Sequence, residues 1–201
     1  NLGCATTRVP YPDPKIVKTD PATALPGQAF SYRLAWSNPS RQPAEDVVFF
    51  EQVPNLDAPS DGDPDLTVTG VIAPSSVTVY YSDAANTSTD PTAHPAFDWA
   101  DPTTGEWSAT LAELSGPPTW IAFKVGHMAG NAPSQSATVN VVAADPDTEA
   151  DLAGGTVIEN CAAIELAGGG DEESTTNNVS CATTRLPGLN VAVQKVCDPD
   201  G

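Results

Sequence analysis

The chain has 201 residues, and its 26 acidic and 8 basic side chains give it a formal net charge of −18. Such a surface repels nucleic acids and anionic lipids, so we expect no nucleic-acid partner. The longest apolar runs, such as Val47-Val48-Phe49-Phe50, are too short to span a bilayer, so we expect no membrane insertion of this segment. Because 40% of the residues are hydrophobic, the chain can form a core despite its 20 prolines and 15 glycines, which argues against wholesale disorder.

Short β-rich runs separated by turn residues follow one another along the whole chain, and no segment keeps a 3.6-residue apolar period. The runs predict strands at 15–19, 28–37, 46–53, 66–72, 77–82, 106–111, 119–126, 136–143, 156–166, 177–186 and 189–196. Turn signals such as Leu25-Pro26-Gly27 separate them. This spacing predicts an all-β fold, an antiparallel β-sandwich with an inserted loop region at 83–105.

One motif occurs twice: Cys4-Ala5-Thr6-Thr7-Arg8 near the start returns as Cys181-Ala182-Thr183-Thr184-Arg185 near the end. Self-similarity of this kind is typical of tandem repeats, which are usually structural. We therefore expect residues 1–10 to be a linker and the end of a preceding unit, and 11–187 to be one repeat. Residues 188–201 would be the first strand of the next repeat or a strand donated to a neighbouring subunit.

The four cysteines form no CxxC pair and no metal-binding spacing, which favours disulfides and an extracellular or cell-surface location. Cys161 and Cys181 flank the Gly168-Gly169-Gly170 turn symmetrically, and strand alternation places both side chains on the face opposite the apolar set. This predicts a cross-strand disulfide, with two free buried thiols as the alternative. Cys4 is expected to bond to the Cys161 equivalent of a preceding unit, and Cys197 either bonds to a downstream unit or remains reduced.

Several motifs resemble the prokaryotic conserved repeat domain catalogued as domain of unknown function 11. They are Lys18-Thr19-Asp20-Pro21, Ser31-Tyr32-Arg33-Leu34-Ala35-Trp36-Ser37-Asn38, Asp46-Val47-Val48-Phe49-Phe50-Glu51-Gln52-Val53-Pro54, Trp120-Ile121-Ala122-Phe123, Glu159-Asn160-Cys161-Ala162 and Asn177-Asn178-Val179-Ser180-Cys181-Ala182. The resemblance spans nearly the whole repeat and departs from the family in the 83–105 insertion and at Glu51, where the family more often has Asp. It implies an immunoglobulin-like sandwich repeated on bacterial or archaeal surface proteins, and it implies no ligand.

Three polar residues share strand parity with apolar neighbours and should face inward: Lys18, Glu51 and Asn160. A Lys, an Asn and an acid so placed resemble the constellation that forms autocatalytic isopeptide bonds in Gram-positive pilin and adhesin sandwiches. Burial would favour the neutral amine and the protonated acid that this reaction needs. The alternatives are a polar trio satisfied by hydrogen bonds, or a Lys whose head reaches water.

The tail carries a lone apolar strand with one face formed by Leu189, Val191, Val193 and Lys195. A single strand needs a pairing partner, so we expect it to enter the sheet of a neighbouring copy, by covalent continuation or by strand donation. Neighbouring copies, arranged head to tail, are therefore the predicted partners.

The remaining candidate sites are weaker. Asp57, Asp61, Asp63 and Asp65 offer oxygen ligands for Ca²⁺, although a solvated acidic loop is the simpler interpretation and no other cofactor is expected. Trp99 and Trp107 could stack on a sugar, which keeps an adhesive or carbohydrate-binding module as the alternative function. No catalytic motif is present, so we predict a structural module of an extracellular stalk or filament and not an enzyme.

Overall fold

A computed structural model of the protein describes residues 10–55, 65–145, 150–166 and 171–188, and within them nine strands form two antiparallel sheets. The strands are β1 (Lys15–Thr19), β2 (Ala29–Asn38), β3 (Ala44–Gln52), β4 (Thr67–Ile72), β5 (Thr78–Ser82), β6 (Trp120–Met128), β7 (Ala132–Val142), β8 (Val157–Leu166) and β9 (Val179–Arg185). The first sheet has the order β1-β2-β7-β4, and the second sheet has the order β5-β6-β3-β8-β9. The predicted all-β, immunoglobulin-like sandwich is confirmed.

The core lies between the two sheets and follows from alternation along each strand. In β2 every second side chain points inward, so that Tyr32, Leu34 and Trp36 are buried while their neighbours are more exposed. The inner face of the second sheet supplies Phe49 and Phe123, whose rings stack with centroids 4.6 Å apart. Burial of these large side chains is the main stabilising contribution of the fold.

Strand β3 departs from this alternation because both of its faces are covered. Val48 and Phe50 point away from the inter-sheet core and pack against Trp107 and Trp120 in a second apolar cluster. Phe97, from the inserted segment, lies edge-on to Phe50 with a centroid distance of 5.6 Å. The insertion therefore forms a lid over the outer face of the second sheet.

The prediction of a strand at 106–111 is wrong, because the structure has no strand there. Ser108 makes only an isolated bridge to Tyr81, with backbone N···O distances of 2.7 and 2.8 Å. The chain then turns through a short 3-10 helix at Leu111–Glu113. Trp107 is the physical reason: its side chain enters the second apolar cluster, so the backbone around it follows the packing of that cluster instead of a sheet edge.

The sandwich is nearly closed where β1 and β9, the edge strands of the two sheets, approach each other. The backbone N–H of Lys18 donates to the Ser180 hydroxyl at 2.9 Å, and the N–H of Ala24 donates to the Arg185 carbonyl at 3.0 Å. This seam brings inward-facing side chains of β1 close to those of the second sheet. No helix in the described parts of the chain has the length and apolar character needed to cross a membrane.

Candidate functional site

The structure places Lys18, Glu51 and Asn160 together in the core, on β1, β3 and β8 respectively. Their exposed fractions are 4%, 1% and 1%. Charged and amide side chains are rarely buried to this degree unless they are paired or have a function.

Strand register explains why these residues meet. Glu51 pairs with Ala162 across β3 and β8, and Asn160 lies two residues before Ala162 on the same face. Lys18 pairs with Leu34 across β1 and β2, in the opposite sheet. The seam between β1 and β9 then brings the lysine to Glu51 of the second sheet, and Glu51 in turn lies beside Asn160.

The polar contacts inside this site are incomplete. Lys18 Nζ donates a hydrogen bond to a Glu51 carboxylate oxygen and also lies 4.8 Å from the centroid of the Tyr32 ring. The Asn160 amide lies beside the Glu51 carboxyl and the Tyr32 hydroxyl; burial raises the pKa of both groups, and Asn160 opposes that effect only in part. Among the described residues, however, neither Nδ2 nor Oδ1 of Asn160 makes a hydrogen bond of normal geometry.

Burial shifts the electrostatics of the pair toward its neutral form. Burial lowers the pKa of the Lys18 ammonium, and the charge of Glu51 and its hydrogen bond only partly offset that effect. Burial likewise raises the pKa of the Glu51 carboxyl, against the opposing influence of Lys18 and Asn160. Both shifts lower the free-energy cost of moving a proton from the lysine to the glutamate, the step that would give a free amine and a carboxylic acid.

Two further residues belong to the site and were not predicted from the sequence. Tyr32 is buried, and its hydroxyl faces Asn160. Asp20 follows β1, accepts a hydrogen bond of 3.4 Å from the Thr184 hydroxyl, and has a pKa raised by burial to about 6. The parity of Tyr32 with Leu34 and Trp36 was a usable signal, whereas Asp20 lies beyond the strand and offered none.

This arrangement supports one reaction within the chain. The neutral Nζ of Lys18 can attack Cγ of Asn160, while the protonated Glu51 polarises the amide carbonyl. In that reaction the Nζ–Cγ bond would form, the Cγ–Nδ2 bond would break, and Nδ2 would leave as ammonia after Glu51 had relayed the proton from the amine. The product is a secondary amide, so atoms and charge balance without a cofactor.

The predicted disulfide between Cys161 and Cys181 is present, joining directly opposite residues of β8 and β9 whose Cα atoms are 4.0 Å apart. Glu159 lies next to it, with a carboxylate oxygen within 4.8 Å of both sulfurs. In the described residues this is the one cluster with the side chains of a metal site, and the disulfide occupies both of its sulfur ligands.

Several predicted site residues lie outside the described ranges: Cys4, Asp57, Asp61, Asp63, Leu189, Val191, Val193, Lys195 and Cys197. The proposed calcium run therefore keeps one described member, Asp65, whose backbone N–H donates to the Pro54 carbonyl at 2.8 Å. The calcium site and the pairing of the tail strand remain predictions.

The predicted sugar-stacking pair is not an exposed platform. Trp107 is only 3% exposed and belongs to the second apolar cluster. Trp99 is half-buried, and Lys124 Nζ lies 4.4 Å from its ring centroid and donates to its carbonyl at 2.6 Å. These two indole rings thus serve the packing of the insertion, as Trp36 and Trp120 serve their own cores.

No protein-family model matches the sequence, and no curated protein matches it either. The resemblance to the conserved repeat domain therefore stays a prediction.

Among solved structures, the chain is similar to AvmM, which catalyses macrocyclization in alchivemycin A biosynthesis; they share 13% identity with a TM-score of 0.38, covering 92% of this chain and 93% of that one. It is also similar to AggA, the major subunit of aggregative adherence fimbriae type I from Escherichia coli, with 12% identity and a TM-score of 0.36, covering 89% and 99%.

Proposed function

We propose that the chain is a structural tandem-repeat module of an extracellular prokaryotic stalk or filament, and that an isopeptide bond between Lys18 and Asn160 locks its sandwich. The observation that carries this proposal is the buried contact of Lys18 with Glu51 beside an unsatisfied Asn160 amide. The disulfide supports export from the cytoplasm. The repeated motif supports a module that occurs in several copies, and the strongly acidic composition supports solubility of such an array. The module acts on itself and on no external substrate.

The unsatisfied amide supports a covalent product more than a static polar trio. A buried donor or acceptor without a partner costs about 1–3 kcal/mol. Neither Nδ2 nor Oδ1 of Asn160 has a normal hydrogen bond among the described residues. Formation of the cross-link would remove Nδ2 altogether and leave a carbonyl oxygen facing the protonated Glu51.

We expect the folded protein to be lighter than its sequence by one ammonia, after subtraction of the hydrogens lost to disulfides. Intact-mass spectrometry measures this directly, and proteolysis should release a branched peptide that joins the segment around Lys18 to the segment around Asn160. Glu51→Gln should abolish or greatly slow the mass loss, because a buried amide cannot relay the proton.

The matched control for this measurement is Asn140→Ala, which removes another asparagine amide from the sandwich. Asn140 lies on β7 and accepts a hydrogen bond from the Ser31 hydroxyl at 2.7 Å, away from any lysine contact recorded in the structure. The ammonia loss should persist in Asn140→Ala and disappear in Asn160→Ala. A wild-type protein with the full sequence mass would overturn the isopeptide.

We further propose that modules associate head to tail through the strand at 189–196. The full chain should show a concentration-dependent increase in mass in analytical ultracentrifugation, whereas a chain that ends at residue 188 should stay monomeric. Val191→Asp with Val193→Asp should also prevent association, while the matched pair Ala192→Asp with Gln194→Asp, on the opposite strand face, should weaken it less. A full chain that is monomeric at every concentration would contradict strand donation.

A further inference from the structure

The site and the disulfide meet at two consecutive residues of β8. Asn160 faces the inter-sheet core, where Lys18 and Glu51 lie, and Cys161 faces the other side of the second sheet, where it is bonded to Cys181. Successive side chains of a strand point to opposite faces. A single peptide unit therefore connects the residue of the proposed bond to Lys18 on β1 with the residue of the disulfide to Cys181 on β9. The two links are therefore in series along the chain.

We propose that these two links together make the module inextensible, and that reduction of the disulfide alone releases one short, fixed length of chain. The inference rests on the proposed Lys18–Asn160 bond. A pulling force that enters before Lys18 and leaves after Cys181 then passes through Asn160 and Cys161 only. Residues 19–159 and 162–180 lie outside that covalent path.

The two links differ in what can break them. The Lys18 and Asn160 side chains are buried, and an amide is not opened by reduction. The disulfide is accessible: Cys181 is exposed, Cys161 is half-buried, and both line an open cleft of about 280 Å³. Two equivalents of an external thiol can therefore reduce it, giving two cysteine thiols and one thiol-derived disulfide.

The nearby carboxylate should make the rate of this exchange depend on the charge of the reductant. Glu159 lies within 4.8 Å of both sulfurs, and the whole chain carries a formal charge of −18. Every attacking thiolate is repelled by both; an ammonium group on the reductant offsets that repulsion and a further carboxylate or sulfonate adds to it, so a cationic thiol should reduce the disulfide faster than an anionic thiol of similar pKa. Glu159→Gln should reduce that difference in rate.

The released lengths are set by the positions of the links. The cysteines are separated by 20 residues in sequence and by 4.0 Å between Cα atoms, so reduction should release about 65 Å of chain at about 3.5 Å per residue. Loss of the Lys18–Asn160 bond should release roughly 500 Å on the same scale. These two lengths are easily distinguished.

Single-molecule force spectroscopy of the full chain between two marker domains tests the proposal. The oxidised wild type should give no extension step of its own before the markers unfold, and cysteamine should introduce one step of about 65 Å. Cys161→Ser with Cys181→Ser should show that step without reductant, and oxidised Lys18→Met should show the step of roughly 500 Å instead.

The outcomes separate this inference from the proposed function on which it rests. A wild type that has lost ammonia but still extends in the oxidised state, or that gives no step of about 65 Å after reduction, would overturn the series arrangement and leave the isopeptide intact. A wild type of full sequence mass would overturn both.

Discussion

Lys18→Met should lower the free energy of unfolding by about 5 kcal/mol or more, the largest effect of any single substitution that we expect in this protein. A cross-link between residues 18 and 160 closes most of the chain into one loop, and the entropy that it removes from the unfolded state contributes about 5 kcal/mol. The substitution also leaves the Glu51 carboxyl buried without its partner, which adds to the cost. Chemical denaturation monitored by tryptophan fluorescence measures the change.

The matched control is Lys15→Met, the same substitution on the same strand. Lys15 is only partly buried and shares neither the face nor the contacts of Lys18, so its replacement should change stability by no more than about 0.5 kcal/mol. The comparison separates the loss of the site from the loss of one positive charge in an acidic protein.

A double variant distinguishes a covalent link from an ion pair. Lys18→Met with Glu51→Leu removes both charged groups, and replacing a buried ion pair by apolar residues is often neutral or stabilising. If Lys18 and Glu51 only form an ion pair, the double variant should recover the stability of the wild type. We expect it to stay about 5 kcal/mol below, because the cross-link is still missing; full recovery would contradict the isopeptide.

Removal of the disulfide should have the second largest effect. Cys161→Ser with Cys181→Ser should lower the free energy of unfolding by about 3 kcal/mol, since the bond closes a loop with a sequence separation of 20 residues. The fold should persist, because β8 and β9 remain paired over seven positions from Val157 to Ala163. Denaturant titration with and without reductant measures the loss.

The wild type provides the control for this prediction. Reduction should lower the stability of the wild type by the same amount and should leave the double serine variant unchanged. Equal stability of the oxidised and reduced wild type would show that the unfolded chain is not constrained by this bond.

Much of the fold could be predicted because alternation in a strand is a local property of the sequence. Strand β2 was predicted at 28–37 and lies at Ala29–Asn38, and the inward set of Tyr32, Leu34 and Trp36 follows from its period of two. The same parity places Lys18, Glu51 and Asn160 on inner faces without specifying any contact between them. The cysteine pair could also be predicted from the sequence, because the two cysteines lie symmetrically about the turn of one short hairpin.

The errors arose where a distant segment decides the environment. Residues 106–111 have the composition of a strand, but Trp107 leaves the sheet to fill a cluster formed by Phe50 and Trp120. The alternative of a sugar-binding platform required an exposed Trp107, and the structure buries that side chain in the same cluster. No local pattern records that the insertion folds back over the outer face of β3.

The sequence by itself determined the strands, the faces of their side chains and the Cys161–Cys181 pair, since each depends on spacing within one strand or one hairpin. Only the tertiary structure decided that Lys18 of the first sheet touches Glu51 of the second, and that Asp20 and Tyr32 complete their surroundings. The seam between β1 and β9 sets the distance between Lys18 and Glu51. A contact between two sheets depends on how the sheets pack, and the alternation of side chains within each strand carries no information about that packing.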